Sequence, residues 1–143
     1  MLGLDGQKMS KSYGNTITLR ESDASIEKKL STMPTDPARV RRTDQGEPEK
    51  CPVWNLHGIY SNDATRAWVQ EGCRSASIGC LDCKAPVIEA VKAELKPVRE
   101  RAESYLEQPE VVRTIIAEGS DRARDTAGET LDDVRSAMGL DYR

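Results

Sequence analysis

Pro86-Val87-Ile88-Glu89-Ala90-Val91-Lys92-Ala93-Glu94-Leu95 and its continuation, Lys96-Pro97-Val98-Arg99-Glu100-Arg101-Ala102-Glu103-Ser104-Tyr105, decide the fold class of this chain. Val87, Val91, Leu95, Val98, Ala102 and Tyr105 recur at helical spacing, which lines them along one face. Pro86 suits a first-turn position, where a missing N–H has no partner to lose. Pro97 falls inside the stripe and is expected to break or kink it. A further helix begins near Pro109, carries Val111, Val112, Ile115 and Ile116, and is expected to stop at Gly119. Ser120 then caps a last helix with the stripe Ala123, Ala127, Leu131, Val134 and Met138, closed by Gly139. Residues 85–143 therefore read as a small antiparallel helical array, and the chain as mainly α.

Upstream the signals shorten. Residues 72–84 hold three cysteines and read as irregular, while short helices are expected over 52–60 and 63–71, the second capped by Asn62-Asp63. Pro34, Pro37 and Pro48 mark 33–50 as an ordered linker with little regular structure. A short helix is expected over 23–30, with Ile26 and Leu30 one turn apart, and an extended piece over 15–19. The first residues form a polar loop punctuated by Gly3, Gly6 and Gly14.

Composition sets the scale. The chain has 143 residues, no Phe and two Trp, so a small core inside a solvated helical body is expected. The net charge is −3, with the acid excess in the C-terminal part. That excludes a general positive field, and any RNA contact has to be local. No apolar stretch reaches membrane-spanning length, and Met1 is followed by no export signal, so a soluble, cytoplasmic protein is expected.

Lys8-Met9-Ser10-Lys11-Ser12 is the sharpest chemical signal. Two lysines three apart, small hydroxyl residues between them and flanking glycines make a compact polyphosphate clamp. Glycines let such a loop close over a ligand and reopen. The plain alternative is a solvated flexible segment.

Cys51, Cys73, Cys80 and Cys83 leave gaps of 21, 6 and 2 residues. In a cytoplasmic protein four thiols so close together point to a metal rather than disulfides. Zinc sites usually pair close ligands twice, whereas only Cys80 and Cys83 are a close pair; iron–sulfur clusters tolerate less regular spacing. Unmetallated thiols remain a third reading. His57, the only histidine, is expected to pack rather than ligate, since four thiols already complete a site. Trp54 and Trp68 are expected as core anchors in preference to base-stacking platforms. Arg39-Val40-Arg41-Arg42 suits either a nucleic-acid backbone or salt bridges to Asp36, Asp44 and nearby glutamates, the second being favoured. Arg74 and Lys84 lie beside the thiols and suit either nucleic-acid phosphates or the compensation of thiolate charge.

With Gly3-Leu4-Asp5-Gly6-Gln7 before it and Tyr13-Gly14-Asn15 after it, the run over 8–12 resembles the KMSKS signature loop of class I aminoacyl-tRNA synthetases. Thr35-Asp36-Pro37-Ala38-Arg39-Val40-Arg41-Arg42-Thr43-Asp44, followed by Gly46-Glu47-Pro48-Glu49, is similar to the connector of the tryptophanyl branch. Thr130-Leu131-Asp132-Asp133-Val134-Arg135-Ser136-Ala137-Met138-Gly139-Leu140 resembles that branch's C-terminus. Gly79-Cys80-Leu81-Asp82-Cys83-Lys84 resembles a bacterial subset that holds a 4Fe–4S cluster beside the anticodon-reading region, with the first gap here one residue shorter.

The resemblance spans essentially the whole chain, in order. It implies that residues 1–19 end a Rossmann-like α/β catalytic domain that is otherwise missing. Residues 20–50 would be a connector, 51–84 a four-cysteine metal segment, and 85–143 a helical anticodon-binding region. It implies a parent reaction joining tryptophan to tRNA(Trp) with ATP and Mg2+, in a homodimer. Lys11 would contact phosphates in the transition state and Lys8 would support loop closure and pyrophosphate. Met9 would lie by the adenine, and Ser10 and Ser12 would add polar contacts. The four cysteines would hold the 4Fe–4S cluster, with zinc as the alternative. The chain alone would not activate tryptophan. A freestanding metal-stabilised tRNA-binding module without catalysis is the rival reading.

Overall fold

Ser22 accepts a hydrogen bond from the Ser25 N–H at 3.3 Å and so starts α1, Asp23–Thr32, with an acid in its first turn. The computed structural model describes residues 3–140. Two 3-10 turns, Lys11–Tyr13 and Pro48–Lys50, flank the connector, and four more helices follow: α2 Pro52–Tyr60, α3 Asp63–Arg74, α4 Cys80–Glu107 and α5 Pro109–Ala137. No strand forms among the described residues, so 15–19 stays irregular. Asn62 caps α3 by accepting from the Thr65 N–H at 2.8 Å, as its sequence predicts.

The chain divides into two compact units, Met1–Glu100 and Arg101–Arg143. In the first, Ile26, Leu30 and Met33 from α1 and its end meet Val53 and Leu56 of α2 and Val87, Ile88 and Val91 of α4. These side chains are nearly dry, and Leu4, Ile17, Tyr60 and Leu95 pack at their margin. The second unit holds α5, which buries none of its residues.

Three helix boundaries depart from the sequence reading, each for a local reason. The span over 72–84 is mostly helical: α3 runs to Arg74 and α4 starts at Cys80. Asp82 accepts from the Gly79 N–H at 2.8 Å and the Cys83 N–H donates to Gly79 O at 3.0 Å, so the turn begins before Pro86. Pro97 does not end α4, which continues to Glu107. Pro97 and Ala93, whose carbonyl loses its helical partner, both lie on the exposed side, where water can satisfy that carbonyl. Gly119 does not stop α5 either. Among the described glycines only Gly6, Gly14 and Gly139 adopt positive φ, and it is Gly139 that follows the end of the helix. A glycine left in helical geometry costs about 1 kcal/mol, too little to end a helix. The C-terminal residues thus form two long helices rather than the array of shorter ones that the sequence suggests.

Candidate functional site

The loop over 3–15 is organised by one buried side chain, Asn15, which is 4 % exposed. Its Nδ2 donates to Asp5 Oδ1 at 2.8 Å and to Lys8 O at 3.1 Å, and its Oδ1 accepts from the Ser10 N–H at 2.7 Å. Leu4 N–H donates to Asn15 O at 2.9 Å. A Cβ on Gly3 would lie 2.4 Å from the Asn15 amide, so glycine is needed there. These bonds hold the Asp5 carboxyl below its ordinary pKa, the Asn15 hydrogen bond contributing most.

On this frame Lys8, Lys11 and Ser12 are exposed and Met9 and Ser10 half-buried, with Ser10 Oγ 2.8 Å from Ser12 Oγ. Gly14 closes the Lys11–Tyr13 turn with φ 65°. Among the described residues neither lysine is in an ion pair, which leaves both ammonium groups available to an anion. Beneath the loop, Lys29 donates to Thr16 O at 3.0 Å and pairs with Glu21 at 2.8 Å. Glu21 also accepts from Ser25 and from the Thr18 N–H, and this set, Lys29 foremost, pulls its pKa down to about 2.

The second candidate site is a cavity lined by Cys51, Cys73, Cys80 and Cys83 together with Asp36, Arg39 and Lys84. Residues as far apart in sequence as Asp36 and Lys84 reach it because the connector folds back onto α3 and α4. Asp36 accepts from the Ala38 N–H at 3.0 Å and the Glu47 N–H at 2.8 Å, and the Gly46 N–H donates to Cys73 O at 3.0 Å. A side chain on Gly46 would begin 2.7 Å from Cys73 Sγ.

Burial raises the Cys73 thiol and pushes Cys83 up to about 12, with the neighbouring cysteines adding to the shift at Cys83. Two buried cations face these thiols. Arg39, 8 % exposed, donates from Nη1 to Cys73 Sγ at 3.8 Å, from Nη2 to Arg42 O at 3.1 Å, and to Ile78 O. Its buried Nε has no partner among the described residues. Lys84, 5 % exposed, donates to Ser31 O at 2.7 Å and Met33 O at 2.6 Å.

Several sequence expectations are corrected by these contacts. Lys84 points into the protein and is not placed for anticodon phosphates; Arg74 pairs with Glu49 at 2.6 Å. In the run over 39–42, Arg39 is committed to carbonyls and a sulfur, and Arg42 to Asp82 at 3.6 Å. Asp44 accepts from the Val40 and Arg41 backbone. Among the described residues the expected bridges to Asp36, Asp44 and the glutamates do not form, and the one ion pair of the run is Arg42 with Asp82. Trp68 is 45 % exposed and Trp54 is half-buried under Arg66, 5.7 Å from its ring centroid, so neither anchors the core. His57, by contrast, is fully buried, which favours the packing role over a place on the helix surface. Sequence reasoning missed Asn15 as the loop's hub and Arg39 as a cavity residue. The signal for Arg39 was present, one basic residue near buried cysteines, but the choice among three arginines depended on the fold.

Residues 1–96 match the family described as tRNA synthetases class I (W and Y), and the chain belongs to it. Within that family it is similar to tryptophan–tRNA ligases. It is 63 % identical to the one from Ralstonia nicotianae over 99 % of this chain and 36 % of that protein. Identity to the Thermotoga maritima ligase is 47 %, over 96 % of this chain and 42 % of the relative. The tryptophanyl-tRNA synthetase of Campylobacter jejuni, solved with ADP and tryptophan, superposes with a TM-score of 0.79 at 29 % identity, over 97 % of this chain and 43 % of that one. The chain thus spans roughly two-fifths of the length of these relatives.

Proposed function

We propose that this chain is the lid-and-helical portion of a tryptophan–tRNA ligase, acting on tryptophan, ATP with Mg2+ and tRNA(Trp). The observation that carries the reading is the collinear likeness to tryptophan–tRNA ligases over 99 % of the chain, joined to a loop that presents two lysines without ion-pair partners among the described residues. In this reading Lys11 stabilises the charge that develops at the α-phosphate as the tryptophan carboxylate attacks, and Lys8 steadies the pyrophosphate. Met9 lies by the adenine, and Ser10 and Ser12 orient the loop. Such a clamp works by position and electrostatics, and removing one donor typically costs about 100-fold or more in turnover.

The rest of the nucleotide and tryptophan sites would come from protein outside this chain. The test is a chimera in which the chain replaces the matching segment of the Ralstonia nicotianae ligase. Tryptophan-dependent pyrophosphate exchange in the chimera, about 100-fold weaker in Lys11→Ala, supports the reading. An active chimera indifferent to Lys11 overturns the assigned role. The chain by itself is expected to show no exchange, and measurable exchange would refute that part. The rival reading, a freestanding tRNA-binding module, predicts a gel shift with tRNA(Trp) by the chain alone and an inactive chimera.

The four cysteines are read as thiolate ligands of a 4Fe–4S cluster, with residues 85–143 serving the anticodon end of the tRNA. Support comes from charge: two buried cations, one with an orphaned N–H, face four thiols and a single carboxylate, and they would offset part of the negative charge of metal-bound thiolates. All four thiols line one cavity, as either metal reading requires. The cluster would supply four metal–sulfur bonds as a staple between the connector, α3 and α4. Iron and sulfide analysis after anaerobic purification decides between them: about four irons per chain for the cluster, one zinc for the alternative.

A further inference from the structure

His57 lies against this centre in a way the ligand set does not explain. It is fully buried on α2, with Nε2 3.4 Å from Cys83 Sγ and Nδ1 2.8 Å from Ser61 Oγ. Ser61 caps α2, and its own N–H donates to His57 O at 3.1 Å, so the hydroxyl is fixed against the ring. Trp54 packs beside the imidazole, 6.1 Å between ring centroids. Each ring nitrogen thus has one partner, Cys83 Sγ at Nε2 and Ser61 Oγ at Nδ1.

A neutral imidazole between two partners has two possible proton arrangements. With a free Cys83 thiol, the S–H can donate to Nε2 while Nδ1–H donates to Ser61 Oγ. A metal-bound thiolate has no proton to give. Nε2 must then hold the hydrogen, and Nδ1 accepts from the Ser61 hydroxyl.

We propose that His57, oriented by Ser61, is a positioning residue of the four-cysteine centre that donates its Nε2–H to the sulfur of Cys83 once that sulfur is a metal ligand. This rests on the reading of the four thiols as a metal centre. The N–H···S bond draws electron density from the ligand, which favours the more negative, reduced state of an iron–sulfur group and holds the sulfur in place. Arg39 plays the corresponding part at Cys73 over a longer contact, so the donors reach the centre from two sides.

The experiment uses the 143-residue chain reconstituted anaerobically with ferrous iron and sulfide, beside His57→Phe, His57→Gln and Ser61→Ala. Nitrogen NMR of the loaded native chain is expected to show the Nε2–H tautomer. In His57→Phe the midpoint potential falls and a chelator strips the iron about ten-fold faster. Ser61→Ala moves both readouts the same way by less, and His57→Gln, which keeps an N–H, restores part of each. Ser61 is partly exposed, so its variant keeps the test alive if His57→Phe does not fold. An unchanged potential and stripping rate in Ser61→Ala and His57→Phe, or an Nδ1–H tautomer in the loaded native chain, would overturn the proposal. A native chain that takes up no iron sinks the metal reading itself, and this inference with it.

Discussion

Asn15 makes three side-chain hydrogen bonds across the loop over 3–15 while almost wholly out of water. Each such bond is worth about 1 kcal/mol, and a donor left unpaired costs more. Asn15→Ala is therefore expected to release the loop by about 2 kcal/mol. Amide exchange should quicken over residues 4–15 and stay unchanged in α2 and α4; equal protection of the loop would contradict the role. Glu21 offers a second residue-scale test. Its folded pKa, about 2, lies below its ordinary value of 4.5, so its contribution to stability is complete above about pH 4.5. That contribution disappears as pH falls from about 4.5 to about 2. Urea melts across this window should show a drop that Glu21→Gln largely removes.

Helices in this chain are set less by single breakers than by whether a breaker's geometry is adopted. Gly119 stays helical in α5, and a Cβ there would meet nothing within 4 Å. Gly119→Ala is thus expected to stabilise α5 by about 0.5–1 kcal/mol. Were the chain to turn at Gly119, the same change would be neutral or harmful, and thermal melts followed by circular dichroism separate the two. Pro97 is tolerated in α4 because Lys92 pairs with Glu27 at 2.9 Å on one side and Arg99 donates to Glu21 O at 3.1 Å on the other. Tertiary anchors hold both flanks of the proline, and the lost hydrogen bond faces water. Sequence spacing identified the apolar face of α1 and of the first half of α4, because periodicity reports burial, but Tyr105 at the end of the α4 stripe is 50 % exposed and the buried Ile88 lies outside that stripe. It misplaced the start of α4 because the cap comes from Asp82 reaching back to Gly79, a contact with no period to betray it.

At the scale of the molecule, the unit Met1–Glu100 depends on one small core. Leu30 is 2 % exposed at its centre, so Leu30→Ala should cost about 2–4 kcal/mol, measured by urea unfolding of the chain. A loss below about 1 kcal/mol would mean that the core is not the main support. The sequence by itself determined the mainly helical class, and it singled out the run over 8–12 and the four cysteines as candidate sites. Each is carried by residues close together in the chain or by rare residue types, which local spacing and composition expose. Only the tertiary structure decided that Arg39 and Lys84 turn inward toward the thiols, that Asn15 organises the loop, and that His57 reaches Cys83. At the thiols those outcomes hinge on contacts between residues 26 to 53 positions apart, and at the loop on the burial of one amide side chain. Such choices are made by packing and desolvation, which no run of neighbouring residues records.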